Sequence, residues 1–192
     1  DGGSTWEQVF ATQDPSENTA RTEFALATTP DRHTRIYVGD GGTETGASGG
    51  IPISNTGVYR ADSIDTTPAA TLTDGTTNPG YTSLTSADPA DPGWATYDYC
   101  EGQCWYDNFV VSPPGHPDDV YVGGSFDYTL EPYGIDGGKA VLYSSDAGAH
   151  FTDQTHDASS PTTGIHPDQH TLVAAPFNPK LFFEGSDGGI MR

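Results

Sequence analysis

The chain has 192 residues, 27 of them acidic and 7 basic, for a formal charge of −20. That balance excludes a basic footprint for nucleic acid or docking on an anionic membrane, and no apolar run reaches the roughly 18 residues of a membrane span. Eight Phe, ten Tyr and three Trp argue against disorder, and Gly and Pro, 24 and 15 in number, stay below low-complexity levels.

Helical periodicity is almost absent, and short β-rich runs recur between turn residues. Phe24-Ala25-Leu26-Ala27 is followed by Pro30 and then by Arg35-Ile36-Tyr37-Val38-Gly39. Phe109-Val110-Val111 is followed by Pro113-Pro114 and then by Asp119-Val120-Tyr121-Val122-Gly123. Leu172-Val173-Ala174 is followed by Pro176 and then by Leu181-Phe182-Phe183-Glu184-Gly185. Each pair continues into a third strand, at Gly57-Val58-Tyr59-Arg60, Ala140-Val141-Leu142-Tyr143 and Gly189-Ile190-Met191-Arg192. A fourth strand is expected around Ala69-Thr71-Leu72 and around Phe151-Thr152. Residues 40–56, 74–106, 125–138 and 153–168 are polar, rich in Gly and Pro, and read as loops.

Repetition of four short strands predicts an all-β, antiparallel, propeller-type architecture, because a lone four-stranded sheet covers neither of its faces while stacked neighbours cover both. The blade-equivalents fall at 20–75, at 107–156, and at 169–192 together with 1–10. The chain begins inside one turn motif and stops on a third strand. Three blade-equivalents cut within a repeat predict either part of a six- to eight-bladed propeller or two copies pairing into one.

The turn motif is specific. Ser144-Ser145-Asp146-Ala147-Gly148-Ala149-His150-Phe151 reads S-x-D-x-G-x-x-F, and Asp1-Gly2-Gly3-Ser4-Thr5-Trp6 reads D-x-G-x-x-W. This spacing resembles the Asp-box (BNR) hairpin of sialidases, xyloglucanase-type glycosidases and sortilin-like receptors. The Asp carboxylate accepts backbone N–H bonds across the turn, the Gly supplies positive φ, and the aromatic packs between blades. Asp1, Gly3, Trp6, Ser144, Asp146, Gly148 and Phe151 are therefore structural residues. The resemblance implies a propeller fold and leaves function open, since one scaffold serves enzymes, receptors and assembly factors.

Candidate chemistry sits where innermost strands begin. Asp107 and Asp168 occupy corresponding places in the repeats, and two carboxylates converging near the axis are the acid and base of a glycosidase; the bland alternative is a pair of turn caps. In His166-Pro167-Asp168-Gln169-His170 the period of two puts His166, Asp168 and His170 on one side, as ligand- or metal-binding groups. Trp94, Trp105 and Tyr106 flank the cysteines and suit stacking on sugars; a small satellite core is the alternative. Asp40, Glu44 and Asp187 lie in Asp/Gly turns with the oxygen chemistry of Ca²⁺ ligands, although no cofactor is required.

Cys100 and Cys104 enclose Glu-Gly-Gln, a spacing that closes a small disulfide loop; as half of a metal site they lack a second cysteine pair. With only two lysines, Lys139 and Lys180, this points to an extracellular protein. The arginines include no obvious axial triad, which argues against sialidase activity. The expected function is a secreted propeller module that recognises a glycan or protein ligand, with glycoside hydrolysis as the enzymatic version. The competing class is a scaffold or assembly subunit making protein contacts through its loops.

Overall fold

The computed structural model describes residues 3–14, 21–48, 51–101, 103–125, 140–157 and 160–192. It is all-β with three antiparallel sheets and almost no helix. The first sheet is ordered β1 (Arg21–Thr28), β2 (Thr34–Gly41), β5 (Gly57–Ala61) and β6 (Thr82–Ser83), with a hairpin of β3 (Glu44–Ser48) and β4 (Ile51–Ser54) inserted after β2. The second runs β7 (Phe109–Val111), β8 (Val120–Gly123), β9 (Val141–Ser144) and β10 (Thr152–Asp153). A second inserted hairpin, β11 (His156–Asp157) and β12 (Ser160–Gly164), precedes the third sheet of β13 (Gln169–Ala175), β14 (Asn178–Ser186) and β15 (Gly189–Met191).

Two expectations are corrected. Ala69–Leu72 is one turn of helix after Pro68, not a strand, and it delivers buried Leu72 onto Ile36, Val38 and Ala61. The fourth strand of the first sheet is instead Thr82–Ser83, paired with Tyr59 and Arg60. Two of the segments read as loops, 40–56 and 153–168, also carry the inserted hairpins.

The sheets stack in order, and strand alternation explains how. Tyr37 and Val58 of the first sheet meet Val110, Val120, Val122 and Leu142 of the second. The opposite face of the second sheet, with Phe109, Val111, Tyr121 and Val141, meets Leu172 and Phe182 of the third. The second sheet is thus covered on both sides, and its strands read as continuous apolar runs rather than alternating ones. The innermost strands adjoin, with β7 in contact with β1 on one side and β13 on the other. Tyr37, Tyr121 and Phe183 each stand two residues before the glycine that ends the repeat. Tyr37 faces the second sheet, Tyr121 faces the third with its ring 4.4 Å from that of Phe182, and Phe183 faces outward beside Val173 and Ile190, all three exposed. At the other end of the stack, Phe24 and Leu26 are exposed on the face of the first sheet that carries Ile36 and Val38.

The turn from Ser144 to Phe151 is a closed hydrogen-bonded unit. The Ser144 hydroxyl donates to Asp146 Oδ1 (2.8 Å) and accepts the Gly148 N–H (2.9 Å), while Asp146 Oδ1 accepts the His150 N–H (2.9 Å). The His150 ring and backbone N–H hold the Asp146 carboxyl down to about 2. Arg60 of the first sheet donates to the Ala147 carbonyl (2.6 Å), and Phe151 packs on the core between the first two sheets. Gly148 has φ +84°, and a Cβ there would lie 2.3 Å from Leu84 Cδ1. Gly148→Ala therefore combines a disfavoured backbone with an overpacked contact and is expected to cost about 2–4 kcal/mol in urea unfolding. A change below about 0.5 kcal/mol would show that the turn relaxes freely.

Of the second motif, Asp1 lies outside the described residues. Gly3 has φ +85°, close to that of Gly148, but Trp6 is 89% exposed and lies in no strand, so it does not pack as Phe151 does.

Candidate functional site

Cys100 and Cys104 form a disulfide, and both are fully buried. It is wedged between two glycines. A Cβ on Gly41 of β2 would lie 2.4 Å from Cys104 Cβ, and one on Gly124 after β8 would lie 2.8 Å from Cys100 Sγ. The linked segment therefore docks at the ends of two sheets at once. A turn follows at once, with the Tyr106 and Asp107 N–H groups donating to the Gln103 carbonyl (2.8 and 2.9 Å). This sets Asp107 at the mouth of β7.

Asn108 completes the anchor and was not singled out by the sequence pattern. It is fully buried, accepts the Tyr99 hydroxyl at Oδ1 (2.8 Å), and donates from Nδ2 to the carbonyls of Arg21 (2.9 Å) and Gly39 (3.2 Å). The starts of β7 and β1 and the end of β2 are thereby tied together.

Asp107 and Asp168 do converge. Asp168 precedes β13, whose first residue, Gln169, donates its backbone N–H to the Gly124 carbonyl (3.1 Å) and so fastens the third sheet to the second. The Asp107 side chain is 0% exposed, and neither of its oxygens accepts a hydrogen bond from a donor. Burial first, and then the adjoining Asp168 carboxyl, push its pKa up to about 7. The two carboxyls are neighbours, and the second disfavours ionisation of the first.

Around this pair stand His170, His166, Asp187 and Glu184. His170 Nδ1 lies 3.3 Å from Asp107 Oδ1, and its Nε2 lies 2.8 Å from Asp187 Oδ1. His166 Nδ1 is 3.8 Å from Asp168 Oδ2 and accepts the Asp168 backbone N–H (3.3 Å). Gln169 donates its side-chain amide to the His166 carbonyl, which fixes the loop. Glu184 is buried, and burial raises its pKa against the opposing pull of Ser186, His166 and His170. Glu184 and the Asp187–His170 contact were not foreseen. Glu184 looks like an ordinary strand residue, and only the pairing of β13 with β14 brings Asp187 to His170.

The aromatic candidates divide. Trp105 is 55% exposed, with its ring 5.6 Å from that of Tyr106, which is also exposed and stands edge-on to His170 at 4.8 Å. Trp94 is buried and stacked on Tyr97 at 4.8 Å, so its face is not presented to a ligand. The suggested Ca²⁺ ligands fall in two separate turns, one at the end of β2 and one after β14. Asp40 is fully buried at the end of β2, accepting the Gln13 N–H (2.6 Å) and the Thr22 hydroxyl (3.0 Å). Glu44 lies in β3, its side chain outside the described residues, and Asp187 belongs to the axial cluster. Among the described residues no three His, Cys, Asp or Glu groups converge as a metal ion requires.

Comparison with known proteins gives no match to a family model, a curated protein or a solved structure. The site is therefore interpreted from its own chemistry.

Proposed function

We propose that the chain is a segment of a secreted Asp-box propeller that binds a glycan at the axial mouth of β7 and β13. The observation that carries this is the exposed Trp105–Tyr106 pair beside a cluster of carboxyls. Aromatic faces stack on the C–H faces of sugars, and carboxylates accept their hydroxyl protons. The disulfide and the scarcity of lysine favour an extracellular setting. Binding is the reading that the exposed aromatic pair supports, with glycoside hydrolysis by Asp107 and Asp168 as its enzymatic version. The Ser144–Phe151 turn and the ordered stacking of sheets support the propeller family, and the outward Phe183 face is where a further sheet or a second copy would pack. That face also favours the second reading, an assembly subunit.

A glycan array spanning plant, bacterial and host structures tests the proposal. Binding is expected, and Trp105→Ala should weaken it at least about tenfold, equivalent to about 1.4 kcal/mol. Silence across the array, with the folded protein intact, would transfer the argument to the assembly reading.

A further inference from the structure

We propose that the glycan bound at the axial mouth carries a free protonated amine, a hexosamine unit, received by Asp187 and Asp107, the two carboxyls that flank His170, with the Tyr106 ring beside it. This rests on the glycan reading above and narrows it to a chemical class.

The cluster combines four carboxyls with two imidazoles and holds no basic side chain of its own. Among the described residues the arginine ion pairs are made elsewhere, with Glu23, Asp62 and Asp118. Arg21, the guanidinium nearest in space through its bond to the Tyr106 carbonyl, is engaged by Glu23. Asp107, fully buried, has two oxygens that accept no hydrogen bond. Buried carboxyls without donors are costly, and the missing component is a group that brings donors and positive charge together. An ammonium has three donors and no acceptor.

Access runs in the right direction. The Asp187 side chain is 51% exposed, His170 and Asp168 are partly exposed, and Asp107 lies behind them. The exposed Tyr106 ring edges this opening, and a cation over an aromatic face gains further attraction. A metal ion fits less well, since no three ligating groups converge and both His170 nitrogens already face carboxylates. An ammonium that donates to the two carboxyls on either side of His170 needs no third converging group.

The test is calorimetric titration of the folded protein with three tetrasaccharides: fully deacetylated β-1,4-glucosamine, its N-acetylated form, and cellotetraose. The deacetylated sugar is expected to bind at least about tenfold tighter than the other two. Asp187→Asn should remove most of that preference, while Glu7→Gln, which deletes an equal charge at an exposed site, should leave it intact. Asp107→Asn serves as a second, internal variant. Equal binding of all three sugars would overturn the amine inference and leave glycan binding standing. Silence for all three would overturn both. A preference lost equally in Glu7→Gln would reduce it to diffuse attraction by an acidic protein and likewise overturn the site. So would a stoichiometric Ca²⁺ or Mn²⁺ complex abolished by Asp187→Asn without any sugar binding.

Discussion

Asp107→Asn is expected to stabilise the protein above neutral pH while weakening its ligand. Burial, then Asp168, and to a smaller degree Asp187, raise the carboxyl from 3.8 to about 7, with His170 pulling the other way. Below 3.8 the folded and unfolded chains both hold the proton, and this group contributes nothing to the pH dependence. Between 3.8 and about 7 the unfolded chain releases the proton while the folded chain keeps it, so stability falls as pH rises. Above that range the loss is constant. At about 1.4 kcal/mol per pH unit the full loss is on the order of 4 kcal/mol at most. Asn carries no such penalty, and its amide can donate to Asp168. Urea unfolding at about pH 4 and about pH 8 should show near-equal stabilities at the first and a gain of up to that magnitude at the second. Parallel curves for the two proteins would mean that Asp107 ionises like a surface carboxylate. A gain in stability joined to a loss of binding is a common signature of a functional site.

The second large effect is at Asn108. Leucine has the same branching but a larger volume, and it leaves the Tyr99 hydroxyl and the Arg21 and Gly39 carbonyls without their partner. Each orphaned buried group costs about 1–3 kcal/mol, so Asn108→Leu is expected to cost roughly 3–5 kcal/mol overall. Tyr99→Phe removes a single bond of the same set and should cost about 1 kcal/mol. Unfolding curves for the two variants that coincide would show that Asn108 is not the shared clamp. Because Asn108 adjoins Asp107, its loss should also loosen the ligand site, visible as weaker binding by protein that is still folded.

The sheets were legible wherever burial imposes a pattern. Val110, Val122 and Leu142 lie between two sheets, and their apolar runs announce themselves. Thr82–Ser83 was invisible because two exposed polar residues carry no such signature. Ala69–Leu72 misled because four residues are too few to separate periods of 2 and 3.6. The inserted hairpins have polar sequences that resemble loops. At the site, Asp107 and Asp168 could be found from their places just before the innermost strands. The burial of Asp107 and Glu184 and the role of Asn108 depend on how separate sheets meet, which no local spacing encodes. Trp94 and Trp105 look alike in sequence. Only the stacking of Trp94 on Tyr97 distinguishes the buried ring from the exposed one.

The matched positions of Tyr37, Tyr121 and Phe183 give the array a polarity. The joint between sheets is heterologous, since the Tyr37 face of the first meets the Val110 and Val122 face of the second, and the Tyr121 face of the second meets the Leu172 and Phe182 face of the third. A twofold pairing through Phe183 would set like against like and could not reproduce it. Growth by the existing joint is head to tail, and repeated head-to-tail addition has two outcomes, a closed ring or an open filament.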